Sequence, residues 1–308
     1  MKILITGGAG FIGSHVADVC IDAGHKVVII DDLSSGSIEN VNQKAKFVKM
    51  DIRDEKIREC FMQEKFDVII HHAAQMDVRK SVEDPKFDAS VNILGTINLL
   101  ENCKEYGVKK FIFASTGGAI YGEQDYFPAD EAHPVRPLSP YGIAKLSVEK
   151  YLFYYKAVYK LKYVSLRYAN VYGPRQNPHG EAGVVAIFSN KMLAGQQPII
   201  NGNGKQTRDY TYVGDVVRAN MFALEHEKYD IFNVGTGIES DVNAIFKFIK
   251  QFAKSDCKEL HGPAKMGEQQ RSVLDYAYIK KIFGWQPTVT LEKGIELTVQ
   301  YFRNKIKK

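Results

Sequence analysis

Short apolar runs recur through the first two thirds of the chain, separated by stretches with apolar residues at helical spacing. Residues 3–5, 26–30, 47–50, 66–71, 110–114 and 162–167 predict strands. Residues 16–23, 54–63, 88–106 and 141–161 predict helices, and Gly24 and Gly107 close two of them. Parallel strands need a crossover helix between them, so this alternation predicts an α/β fold with a doubly wound parallel sheet. Ligands of such sheets lie outside the carboxyl ends of the strands. After about Asn170 the pattern loosens. Residues 172–183 form a loop rich in glycine, proline and asparagine, of a length that is usually functional. Helices are expected over 184–194, 215–226 and 241–253, a turn at Gly202-Asn203-Gly204, and a short strand led by Arg208-Asp209-Tyr210. Segments 276–282 and 291–305 close the chain. The expected division is a sheet domain over 1–169 and a smaller α/β lobe over 170–308 that lies over the cleft. Some segments of that lobe return to the main sheet.

The first predicted strand runs straight into Thr6-Gly7-Gly8-Ala9-Gly10-Phe11-Ile12-Gly13. Glycines at 7, 10 and 13 give the spacing GxxGxxG. The first permits a tight turn, the second brings backbone close to a pyrophosphate, and the third lets the following helix pack on the strand. The start of that helix presents N–H groups and the positive dipole end to phosphates. The second predicted strand ends at Asp31-Asp32, where a carboxylate can accept a ribose 2′-hydroxyl and would repel a 2′-phosphate. This predicts NAD rather than NADP. Asp51-Ile52 and Ala73-Ala74 follow the next strands, and small residues at 73 and 74 let a cofactor lie flat over the strand ends.

Composition narrows the picture further. The chain has 308 residues, a net charge of +5 and 45% hydrophobic residues, enough for a sizeable core. Apart from the tail 303–308 there is no basic block, so nucleic acid is not an expected partner, while a mild positive balance suits a polyanionic small substrate. The four cysteines, Cys20, Cys60, Cys103 and Cys257, lack CxxC spacing. They predict reduced thiols of a cytoplasmic protein, with no disulfide frame and no metal site. No apolar run is long enough to span a membrane, and the first strand leaves no room for a signal peptide.

Tyr141 and Lys145 stand four apart at a helix start and share one face. A lysine ammonium and an oxidised nicotinamide both favour the phenolate, which makes tyrosine a base near neutral pH. Ser115-Thr116 lies upstream, after another predicted strand.

These motifs, with Arg167-Tyr168-Ala169-Asn170-Val171-Tyr172-Gly173-Pro174-Arg175 and Arg208-Asp209-Tyr210, resemble the extended short-chain dehydrogenase/reductase family over essentially the whole chain. Within it the chain is most similar to the UDP-glucose 4-epimerase group. The resemblance implies a Rossmann-type fold, with NAD bound in domain 1–169 and the sugar nucleotide held mainly by lobe 170–308. It implies that Gly7, Gly10, Phe11, Ile12 and Gly13 contact the pyrophosphate, Asp31 and Asp32 the adenosine ribose, and Asp51 and Ile52 the adenine. Ala73, Ala74 and Asn92 line the rest of the cofactor site. Tyr141 is the implied base, and Lys145 its partner and a ligand of the nicotinamide ribose. Asn170 and Arg208 hold the diphosphate of a UDP-hexose, with Lys265 and Arg271 as further cations. Ser272 lies near the wall facing the sugar 2-position, where a serine leaves room for an N-acetyl group. A homodimer is implied, through the helices at 88–106 and 141–161.

One position departs from the group. Its usual hydroxyl residue, five before the glycine of Tyr121-Gly122, is Gly117 here. Either Thr116 or a water in the space left at Gly117 is expected to bond the sugar 4-oxygen. Related dehydratases and decarboxylases carry carboxylates at this place to remove water or CO2. Gly117 and Gly118 provide none, which disfavours elimination and leaves hydride removal and return. A dehydratase or reductase of the same family, disfavoured by the two glycines, or a sensor that has lost its chemistry, for which the missing hydroxyl at Gly117 speaks, are the alternatives. Intact Tyr141 and Lys145 argue against the sensor.

Overall fold

The strands of the main sheet carry apolar runs on both faces because helices cover both. The computed structural model, which describes residues 1–178, 183–264 and 269–306, shows how. In chain order, the first half contains β1 (Lys2–Thr6), α1 (Phe11–Asp22), β2 (Lys26–Asp31), β3 (Lys46–Lys49), α2 (Ile57–Glu64), β4 (Val68–His71), α3 (Val78–Glu83), α4 (Pro85–Ala89), α5 (Gly95–Tyr106), β5 (Lys110–Thr116), α6 (Gly117–Ile120), α7 (Pro140–Tyr159) and β6 (Lys162–Tyr168). The rest contains β7 (Asn170–Tyr172), α8 (Val184–Leu193), β8 (Ile200–Asn201), β9 (Thr207–Tyr212), α9 (Val213–Glu225), β10 (Ile231–Val234), β11 (Glu239–Asp241), α10 (Val242–Ala253), β12 (His261–Gly262), α11 (Ala277–Phe283) and α12 (Leu291–Ile306).

The main sheet has the order β3-β2-β1-β4-β5-β6-β10, and every pair is parallel. Ile3 and Ile5 of β1 join the core cluster that includes α1 and α9, whereas Leu4 joins the one that includes α2, α5 and α7. This is the two-residue alternation of a strand sandwiched between helix layers. Strand order reverses between β1 and β4, and the crevice at that reversal is where such folds bind ligands. β10 lies beyond residue 170 yet pairs with β6, Ile231 opposite Ser165. The remaining short strands form a three-stranded sheet, β11-β9-β7, and a pair, β12-β8.

Two helices differ from the sequence pattern. α1 starts at Phe11, so part of the glycine motif is its first turn rather than a preceding loop. The segment expected as one helix over 88–106 is α4, a π turn at Ser90–Leu94 and then α5. In that turn Asn92 bonds the backbone of Gln75 through both ends of its amide, at 2.9 Å each. π turns widen a helix by one residue and are used where a side chain must be re-aimed. Among the described residues, no helix is long and apolar enough to cross a membrane and no cluster of side chains could hold a metal ion.

Candidate active site

β1 delivers the chain to Gly7, whose φ of +70° belongs to the left-handed region. A Cβ there would sit 2.5 Å from Ala73 N, so only glycine allows the turn to press against the end of β4. A Cβ at Gly13 would lie 2.3 Å from Gly7 O, which is how closely α1 packs on the loop. No side chain caps α1 at Gly10, so the N–H groups of its first turn, from Phe11 to Gly13, remain for a bound anion. Asp31 is 7% exposed. It accepts from Ala9 N (2.9 Å) and Leu33 N (2.8 Å), tying the glycine loop to the turn after β2. Burial pushes its carboxyl up, and those two bonds oppose the shift. Two carboxylate oxygens offer about four acceptor sites, so capacity is left for ribose hydroxyls. Asp32 accepts from Ser34 N and Ser34 Oγ through Oδ1 alone, so its other oxygen also keeps acceptor capacity. Asp51 is forked by Arg53, whose hydrogen bonds hold its carboxyl below the usual range. Ile52 is buried, within reach of any Cβ at Gly95.

Ala73 and Ala74 are half-buried after β4. The two histidines before them went unread in the sequence, although a His-His pair ending an apolar run is a usable signal. Thr96 Oγ1 donates to Asn92 O (2.7 Å), so it accepts from His71 Nε2 (2.9 Å). His71 Nδ1 then accepts from Thr6 Oγ1 (2.6 Å). This chain of bonds locks β1, β4 and the π turn together. Burial, and then the Lys145 charge, hold His71 far below its ordinary pKa and therefore neutral. His72 stacks on Tyr168, its centroid 6.3 Å away, and the same two causes pull it down to about 3.

Ser139 caps α7 by accepting from Gly142 N (3.1 Å), and Pro140 opens its first turn. Tyr141 is half-buried and Lys145 3% exposed. Lys145 Nζ donates to Ala114 O (2.9 Å), and sits 4.7 Å from the Phe113 ring centroid and 5.8 Å from that of Tyr141. Burial pulls its ammonium down to about 8, against the pull of Asp88. One turn on, Glu149 accepts from Ser115 Oγ (2.7 Å), Arg167 Nε (3.0 Å) and Arg167 Nη2 (2.6 Å), a buried network under the end of β5. A Cβ at Gly118 would lie 3.6 Å from Asn170 Oδ1 and 3.8 Å from Thr116 Oγ1, so these two side chains flank the same open spot.

Gly117 corrects one expectation. A Cβ there would meet Leu274 Cδ1 at 2.4 Å, and both residues are buried. Leu274 fills the space where a water was expected, which leaves Thr116 as the hydroxyl at this place.

In the second lobe, half-buried Arg208 donates to Thr207 O (2.8 Å) and pairs with no carboxylate among the described residues. Its neighbour Asp209 is buried and accepts from Thr236 N and Oγ1 (2.9 and 2.7 Å), Gly237 N (3.2 Å) and Leu274 N (3.3 Å). These bonds fix the loops on either side of the arginine. Arg271 is instead committed: it forks Glu239 at 3.0 and 2.6 Å, with its guanidinium 3.7 Å from the Phe127 centroid. Ser272 is 2% exposed, and its carbonyl accepts from Asp209 N. Lys265 lies outside the described residues.

The NAD dependent epimerase/dehydratase family matches residues 3–235. The UDP-glucose 4-epimerase of Mycolicibacterium smegmatis is 45% identical over 315 residues, covering 99% of each chain. A UDP-glucose 4-epimerase from Thermotoga maritima, solved with UDP-glucose, is 50% identical and superimposes with a TM-score of 0.98, covering 99% of this chain and 100% of that one. The Thermus thermophilus UDP-glucose 4-epimerase, solved with NAD, is 44% identical with a TM-score of 0.94, covering 98% and 99%.

Proposed function

Because this chain belongs to the NAD dependent epimerase/dehydratase family, we propose that it interconverts UDP-galactose and UDP-glucose at the sugar C4. The family's cofactor is NAD, and the cradle fits it. Gly7 and Gly13 leave no room for side chains, the start of α1 is uncapped, and Asp31 keeps free acceptor sites beside the loop. Held there, NAD would supply the acceptor and donor for the C4 hydride. Tyr141 removes the proton of the 4-hydroxyl and later returns it. The Lys145 ammonium stabilises the phenolate and bonds the nicotinamide ribose. Thr116 holds the 4-oxygen. Asn170 and Arg208 anchor the diphosphate, so the sugar can present both faces while UDP stays bound. Arg271 contributes to that anchoring only by releasing Glu239.

The observation that carries this reading is the Tyr141–Lys145 pair on α7, which packs against the β5 strand that ends in Thr116, with no carboxylate at 117 or 118. An elimination lacks its acid and base there. The test is purified protein with UDP-galactose and no added NAD, with UDP-glucose read by chromatography. Product without added cofactor supports epimerisation. A 4-keto-6-deoxy product would instead mean dehydration. The same assay with UDP-N-acetylglucosamine tests the Ser272 expectation, for which turnover is expected.

Thr116→Val should lower kcat roughly 10–100-fold, the cost of a hydrogen bond to a charged oxygen. Gly117→Ser should not restore that loss in the double variant. Its Cβ must displace Leu274, and overpacking of this kind costs about 1–3 kcal/mol. Unchanged turnover in Thr116→Val would remove Thr116 from the reaction.

The protein acts in the cytoplasm as a homodimer. α7 turns Phe153 (64% exposed), Val158 (53%), Tyr151, Tyr154 and Tyr159 outward, while Leu152 and Tyr155 of the same helix are core. Tyr151, Tyr154 and Val158, three and four residues apart, share one outward face, an apolar stripe that a second copy would cover. Light scattering should give twice the chain mass, and Val158→Glu should shift it toward the monomer.

A further inference from the structure

Asp88 lies on α4, 1% exposed, where α4 packs against α7. Its Oδ1 accepts from Asn92 Nδ2 (2.9 Å) and Gln75 Nε2 (3.0 Å). Its Oδ2 is buried and has no hydrogen-bond partner. A proton on Oδ2 would find no acceptor, and two N–H donors on Oδ1 favour the anion. A buried, unpaired carboxylate oxygen is costly unless a positive charge faces it. Burial pushes the Asp88 carboxyl up, and the Gln75 and Asn92 bonds oppose it, followed by the Lys145 ammonium on the helix packed against α4; Asp88 in turn raises Lys145 against burial.

The geometry points to Asp88 as a positioning residue for the reaction, the counter-charge that keeps Lys145 an ammonium inside a dry pocket. The same carboxylate pins Asn92 and Gln75 in the loop and turn beside the cofactor floor. The other groups facing Lys145 cannot take this part. His71 and His72, at the end of β4, are neutral at neutral pH and oppose a positive neighbour. Tyr141 is the residue whose proton Lys145 governs. Glu149, a turn away on α7, is consumed by Arg167, Ser115 and Ser165. Arg79, Lys80, Glu83, Asp84 and Lys86, around Asp88 on α3 and α4, are exposed, and half-buried Asp77 caps α3 by accepting from Lys80 N (3.0 Å). Burial alone draws the Lys145 ammonium down, and Asp88 holds it near 8, above neutral pH. Without Asp88, Lys145 would lose its proton within the working range and Tyr141 would lose its electrostatic support.

The inference rests on reading Tyr141 and Lys145 as the acid–base pair, and two readouts separate the failures. The first is the pH profile of kcat for UDP-galactose in the holoenzyme and in Asp88→Asn. Expected is an acidic limb shifted upward by about one pH unit, hence roughly tenfold lower kcat at pH 7. KM should stay within about twofold and activity should recover at high pH. Asp88→Glu, which keeps the charge, should restore most of the wild-type limb. The second readout is the Lys145 Nζ titration by lysine-selective NMR, assigned through Lys145→Met, which needs no turnover. Expected is a fall in its midpoint of about one unit in Asp88→Asn. A Lys145 shift without any epimerase activity in the wild type would overturn the functional reading and keep the charge pair. An unmoved Lys145 midpoint overturns the inference, and so does a uniform loss of kcat at every pH, which marks a purely structural role. Should the asparagine variant not fold, Asp88→Thr keeps an acceptor for Asn92 and Gln75 without the charge and takes the same two measurements.

Discussion

Tyr141→Phe lowers kcat by roughly three orders of magnitude, with UDP-galactose affinity nearly unchanged. The phenyl ring keeps the packing of the first turn of α7 and removes only the oxygen that moves the proton. General acid–base groups contribute about 10²–10⁴ in rate, so a loss of about 10³ matches the removal of one. In free energy that is about 4 kcal/mol of transition-state stabilisation. Binding is spared because the proposed grip on the nucleotide belongs to Asn170 and Arg208, on β7 and β9 rather than on α7. Single-turnover assays with a titration of UDP-galactose separate the two effects. A Tyr141→Phe protein that keeps more than about a tenth of wild-type kcat would assign the base elsewhere. Thr116 would then be the first residue to test.

The second large effect is on stability. Glu149→Gln should cost about 3–5 kcal/mol, since it leaves the Arg167 guanidinium buried without its counter-charge. Glu149 is 2% exposed and Arg167 4% exposed, so water cannot replace what is lost. The exposed pair Lys293–Glu296 makes the contrast: breaking it should cost well under 1 kcal/mol, because water solvates both partners. Denaturant unfolding of the two variants checks the difference, and equal midpoints would contradict it. Converting Glu149 and Arg167 together to Gln and Met should recover much of the loss, because the pair carries a desolvation cost of its own. Activity falls with Glu149 as well. Ser115 is bonded to it and precedes Thr116, and Lys145 stands one turn before it on α7.

Sequence pattern and tertiary packing divided the information along a physical line. Features set by neighbours a few residues apart were legible in the chain. The runs of β1 to β6 are apolar on both faces because helices cover both, and that alternation with helical stretches implied the parallel sheet. Glycines at 7, 10 and 13 announced the turn, and left-handed backbone at Gly7 and close packing at Gly13 admit no side chain there. Tyr141 and Lys145 share a face by helical geometry alone.

Features set by residues far apart in the chain were not legible. A return of some second-lobe segment to the main sheet was expected, but that it is β10, and that it lies beside β6, no local pattern records. The break at Ser90–Leu94 follows from Asn92 reaching back to Gln75, while the apolar period runs on as if the helix were whole. Arg271 looked available until Glu239 was found in its fork. Gly117 looked like an empty place, and Leu274 occupies it from 157 residues further along. The charge that sustains Lys145 comes from Asp88 on another helix, and burial, which decides what that charge is worth, exists only once the chain has folded. The residues able to do chemistry were therefore readable in order along the chain, but the partners that set their charge, reach and spare capacity come from packing between distant segments.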